Sequence, residues 1–133
     1  MNPLYPLIAE RAAHRCEYCR APEVAFNVLF EVEHIAPQVS GGSNAMDNLA
    51  LACRSCNAFK SDRQLGIDPQ TQTAVALYHP RQNRWVDHFL IETETLVIQG
   101  RTPVGRGTVA ALQMNSFPQL QARRHWRRLE LFP

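Results

Sequence analysis

"LACRSCNAFKSD", residues 51–62, carries the spacing that decides the fold: two cysteines two residues apart, at the end of an apolar run and the start of a polar one. A second pair stands upstream in "CEYC", residues 16–19, and no cysteine is left over. Two residues between thiolates fit a tight knuckle that turns both sulfurs to one ion, and two knuckles complete a tetrahedral zinc site. The 33 residues between the pairs exceed the usual zinc-ribbon spacing and leave room for a hairpin and a loop. Disulfides are the competing reading, but nothing here suggests secretion, and cytosolic thiols stay reduced. A redox C-x-x-C would not explain a second matched pair. Cys16, Cys19, Cys53 and Cys56 are therefore read as ligands of a structural zinc whose coordination sphere is closed to substrate.

Working outward from the knuckles, "FNVLFEVEHI" (26–35) reads as a strand, rich in β-branched and aromatic residues, and "PQVSGGSNAMDN" (37–48) as a loop. "LALAC" (49–53) reads as a second strand, "RSCNAFKSDRQL" (54–65) as a helix and "PLIAERAAHR" (6–15) as a short helix upstream. "GIDP" (66–69) ends the second helix. Beyond it, "TAVALYHP", "WVDHFLIET" and "TLVIQG" are expected to form three strands of one small antiparallel sheet. Two helices follow, over 102–115 with Thr102 as N-cap and Pro103 at the first position, and over 116–132 capped by Ser116. The expectation is an α+β chain: residues 1–66 a core, 67–133 a β-then-α extension packed on it, together one compact domain.

With 133 residues, 45% of them hydrophobic, the chain can build a modest core. No apolar run approaches the ~20 residues of a membrane span, and the N-terminus has no basic-then-apolar leader pattern. The sequence reads as a soluble cytoplasmic protein. The net charge of +2 hides an asymmetry: residues 101–133 hold six arginines and one acid. Such a basic end hints at a nucleic-acid partner, although one amphipathic helix can also turn Leu120, Trp126 and Leu129 inward to cap the core.

Three polar features surround the cysteines: Glu33-His34 at the end of the first strand, Asn48 before the second, and Asn57 directly after Cys56. Lys60, the chain's only lysine, follows Asn57 on roughly the same helical face. A zinc pinning both ends of segment 17–55 would bring the strand-end carboxylate towards the helix-borne amide. Those are hard oxygen donors, suited to Mg²⁺ or Mn²⁺, and a neutral histidine beside such a metal can take a proton from water. Adjacent residues of a regular strand face opposite sides. Glu33 and His34 thus reach one site only if the strand bends or ends there, or if they flank a phosphate from two sides.

Together, "CEYC", "VEHIAPQVSGGSNAMDNLALAC" and "CRSCNAFKSD" resemble the HNH endonuclease family, in its subgroup with a four-cysteine zinc site. The resemblance covers about residues 12–64 and implies a ββα-metal fold around one divalent cation. It implies that His34 is the general base, that Glu33 and Asn57 hold the catalytic Mg²⁺ or Mn²⁺, that Asn48 orients His34, and that Lys60 contacts phosphate. The implied reaction is hydrolysis of DNA phosphodiester bonds to 3′-hydroxyl and 5′-phosphate ends. One such site cuts one strand at a time, in a monomer or weak homodimer. Arg54, Arg63, Arg123, Arg124 and Arg127 join Lys60 as candidate DNA contacts. Glu33 stands where the family more often has aspartate, and Asn57 where it often has histidine. The downstream half resembles an extension found on bacterial HNH proteins, expected to support the fold or touch DNA. The rival reading is a four-cysteine zinc module that grips nucleic acid without cutting it.

Overall fold

The computed structural model describes residues 1–133. Its first half is organised on a short antiparallel ribbon. Strand β1 (Glu31–His34) pairs with β2 (Leu49–Ala52) in the register Glu31↔Ala52 to His34↔Leu49. All four residues of β2 are buried, because its alternation of Leu and Ala lets elements pack on both faces. Helix α2 (Arg54–Lys60) follows at once, with Cys53 as N-cap, its Sγ accepting from the Cys56 N–H. Helix α1 (Tyr5–Arg11) packs against the ribbon.

Three boundaries here differ from the sequence expectation. β1 begins at residue 31, not 26: of residues 26–30 only Phe30 is buried, while Phe26, Val28 and Leu29 stay exposed. The rings of Phe26 and Phe30 meet edge-on at 4.9 Å, and Phe26 lies 5.7 Å from Trp126. The Phe30 N–H donates to Glu23 instead of a strand partner. α1 stops at Arg11, since Ala13 and His14 take left-handed φ values of 53° and 54° that swing the chain into the first knuckle. α2 stops at Lys60, where Ser61 turns to φ 48°.

Downstream, the expected three-stranded sheet is two separate ribbons. β3 (Leu65–Asp68) pairs with β4 (Thr73–Ala76), and β5 (Phe89–Ile91) with β6 (Ile98–Gly100), all antiparallel. "WVDH" is one helical turn, α3 (Trp85–His88). Helix α4 (Pro103–Ala111) explains the split, because it packs against both ribbons and so takes the place where a continuous sheet would run. It is capped as expected, the Thr102 hydroxyl accepting from the Gly105 N–H at 3.0 Å. Gly105 itself is required, since a Cβ there would stand 2.1 Å from the His88 carbonyl oxygen. The last helix, α5 (Phe117–Arg128), follows Ser116, whose side chain makes no capping bond.

One apolar core of 25 residues runs through both halves, from Ile8 and Leu51 to Ile98, Leu112 and Trp126. Polar links cross the same boundary. The Trp85 indole N–H donates to the Tyr18 carbonyl at 2.7 Å, Arg81 pairs with Glu17, and Arg15 donates to the Leu131 carbonyl at 2.8 Å. The architecture is α+β, with small antiparallel ribbons and helices around a four-cysteine cluster.

Candidate functional site

The four thiols meet. Their sulfurs all lie within 4.8 Å of one another, and all four residues are buried. The Cys19 and Cys53 sulfurs are 3.7 Å apart, close to the ~3.8 Å edge of a tetrahedron of sulfurs about 2.3 Å from a zinc ion. In each knuckle the N–H of the second cysteine donates to the sulfur of the first, at 3.5 and 3.4 Å. Burial works against the Cys16 thiolate, yet hydrogen bonds from the other three thiols hold it well below the ordinary thiol value. Hydrogen bonding within the same cluster pushes Cys19 and Cys56 well up. Four thiols this close ionise together only around a cation, so the donor set fits zinc.

Beside the cysteine cage lies a cleft of about 430 Å³ lined by Glu33, His34, Asn57 and Asp62, among others. Glu33 and His34 are the last two residues of β1, both paired with β2, and both line the cleft: Glu33 turns inward, 5% exposed, and His34 stays half-buried at the rim. Glu33 and Asn57 supply a carboxylate and an amide oxygen, a hard donor pair. The cysteines form the only close group of three or more His, Cys, Asp or Glu ligand atoms. A cation in the cleft would therefore keep positions for water and phosphate, as Mg²⁺ commonly does. The residues fit such an ion.

His34 is oriented by a residue the sequence reading passed over. Its Nε2 lies 2.7 Å from Asn44 Oδ1, which also accepts from the Gln38 amide at 3.1 Å. An amide oxygen only accepts, so Nε2 donates this bond, and in the neutral ring the lone pair falls on Nδ1. Asn48 does not touch His34. Its buried amide clamps the loop instead, accepting from the Ala36 N–H at 2.8 Å and donating to the carbonyls of Ala36 and Ser43 at 3.0 and 2.8 Å. The loop closes on itself at Gly42, where a Cβ would overlap the Ala36 carbonyl oxygen at 1.8 Å. Asn44 was detectable only as one polar residue in a polar loop.

Lys60 also departs from expectation. It is 1% exposed, and its ammonium donates to Glu33 Oε2 at 2.9 Å and to the carbonyls of His34 and Ile35 at 3.0 Å. All three hydrogens are engaged, so none is left for a phosphate. On the opposite side of the carboxylate, the Tyr18 hydroxyl donates to Glu33 Oε1. Burial and then the Glu33 charge push the Tyr18 hydroxyl well above its ordinary value, keeping it a donor. Arg123 is fully buried too, bound to the Leu96 carbonyl and Asn115 at 3.1 and 3.0 Å and to the Met114 carbonyl. It is a core arginine, not a DNA contact. Arg54, Arg63, Arg124 and Arg127 are exposed, although Arg127 donates to the carbonyls of Thr93 and Glu94. Trp126 turns inward as expected, whereas Leu129 is exposed.

The HNH endonuclease family model matches residues 16–63, from the first ligand of the cage to just past α2. Over these residues the chain is similar to HNH endonucleases. The HNH segment thus holds all four cysteines, the cleft and the β1–β2–α2 unit, and covers 48 of the 133 residues. No curated protein and no solved structure matches the chain. No helix is long and apolar enough to cross a membrane.

Proposed function

We propose that the chain is a metal-dependent endonuclease that hydrolyses DNA phosphodiester bonds, leaving 3′-hydroxyl and 5′-phosphate ends. The observation that carries this reading is the meeting of His34, Glu33 and Asn57 on one cleft within the HNH segment. In this reading, Glu33 and Asn57 hold a divalent cation, Mg²⁺ or Mn²⁺. When bound, such an ion supplies Lewis acidity at the scissile phosphate and its leaving oxygen. His34, held through Nε2 by Asn44, takes a proton from the attacking water at Nδ1. The buried cysteine cage is structural, so zinc supports the reaction only by fixing the ribbon and α2. Arg54 and Arg63, exposed at the start of α2 and just beyond its end, are suited to phosphates flanking the cleft.

The test is plasmid nicking by purified protein across a titration of Mg²⁺ and Mn²⁺, with His34→Ala alongside. The wild type is expected to nick. His34→Ala should retain one zinc per chain and lose nicking by about 10²-fold or more, the order of a general-base contribution. Full activity in His34→Ala would sink the mechanism. Tight DNA binding with no nicking in any metal would favour the zinc binding module.

A further inference from the structure

Glu33 is gripped from behind by the zinc knuckle. Tyr18 stands between the ligands Cys16 and Cys19, is fully buried, and donates its hydroxyl to Glu33 Oε1. The residue has little freedom to move. Its carbonyl accepts the Trp85 indole N–H at 2.7 Å, and its ring meets Tyr78 edge-on at 6.3 Å. The Arg20 guanidinium lies over the Trp85 ring at 4.8 Å, closing the brace. With Lys60 on Oε2, each carboxylate oxygen has one buried donor. A carboxylate oxygen carries two lone pairs, so each can still accept one further partner, and Glu33 lines the cleft.

We propose that Tyr18 is a positioning residue: it carries the rigidity of the zinc knuckle to the Glu33 carboxylate and so sets the affinity of the cleft for a divalent cation. The inference rests on the nuclease reading of that cleft. It makes the cysteine cage matter twice, once as a staple and once as the foundation of a ligand it does not touch. Hydrogen bonds to metal-binding carboxylates set ligand direction, and their loss typically weakens metal binding about 10- to 100-fold.

The test is Tyr18→Phe, which removes one hydroxyl and leaves the ring packing in place. Mn²⁺ binding, followed by calorimetry on zinc-loaded protein, should weaken by about 10-fold or more. Zinc content should stay at one per chain. The Mn²⁺ concentration for half-maximal nicking should rise by the same factor, while the rate at saturating Mn²⁺ stays within about threefold of wild type, a loss confined to binding. A second measurement uses the unaltered chain: Mn²⁺ added to wild type should perturb tyrosine absorbance, saturating at the calorimetric affinity. Unchanged Mn²⁺ affinity in Tyr18→Phe, Mn²⁺ loss accompanied by zinc loss, or no tyrosine signal would each overturn the proposal. If wild type nicks and binds Mn²⁺ while Tyr18→Phe matches it, only this inference fails. A wild type that neither binds Mn²⁺ nor nicks overturns the nuclease reading and this one with it.

Discussion

Lys60 and His34 sit on neighbouring elements, yet they answer to different physics. Lys60 is enclosed, its charge matched by Glu33 and its hydrogens by two carbonyls. Removing one partner of a buried pair leaves the other charge uncompensated, so Lys60→Met should cost about 3–5 kcal/mol. Urea denaturation of zinc-loaded protein measures it. His34 is half-buried, and its ring hydrogen-bonds only Asn44. Truncation there should leave stability nearly unchanged, which makes His34 the cleaner probe of chemistry. The residue types at positions 33, 34, 57 and 60 were legible in the sequence as a polar constellation. Lys60's side-chain direction was not, because an i, i+3 spacing on a seven-residue helix says little about which turn is buried.

At the scale of elements, the ribbon, its loop and α2 are short pieces tied by polar clamps. β1 and β2 have four residues each and α2 seven, too few to be stable alone. Two ties compensate. One is the cysteine cage, so removing zinc with a strong chelator should lower the melting temperature sharply and release the fold of residues 16–60, as it does where binding energy is folding energy. Circular dichroism with metal add-back checks this. The other is Asn48, whose three hydrogen bonds hold the loop. Asn48→Ala should cost about 2–3 kcal/mol, since buried backbone groups lose their partners. Its effect on nicking should come through the loop that carries Asn44. The Gly-Gly and Asn-rich composition announced a tight loop; which asparagine faced the histidine depended on how that loop closed.

For the whole molecule, the extension is wedded to the HNH segment through a shared core and through polar links at Tyr18, Glu17 and Arg15. Within the extension, Asp68 on β3 receives Arg106 of α4 in two bonds, at 3.0 and 2.9 Å. The Arg106 guanidinium, with the Gln70 N–H and the Thr71 hydroxyl, holds the Asp68 carboxyl well below the usual carboxylate range. A carboxylate lowered by folding contributes stability that is fully present above the unfolded value of about 3.9 and is lost as pH falls below it. The melting temperature should therefore hold this contribution down to about pH 4 and shed it under stronger acid. Asp68→Asn should melt lower at neutral pH and fall less steeply below about pH 4, as thermal scans across pH would record.

The sequence by itself determined the four-cysteine cage, the order strand–loop–strand–helix from the first knuckle onward, the Thr102 cap and the likeness of residues 16–63 to HNH endonucleases. Each of these is written in local spacing: two-residue gaps between thiols, capping residues, a loop of small and turn-forming residues. Only the tertiary structure decided that the extension forms two ribbons split by α4, that Arg123 and Lys60 are interior, and that Asn44, not Asn48, meets His34. Those outcomes depend on which surfaces remain to be covered once distant segments pack. A buried cation looks the same in a sequence as an exposed one until its carbonyl partners arrive from elsewhere in the chain.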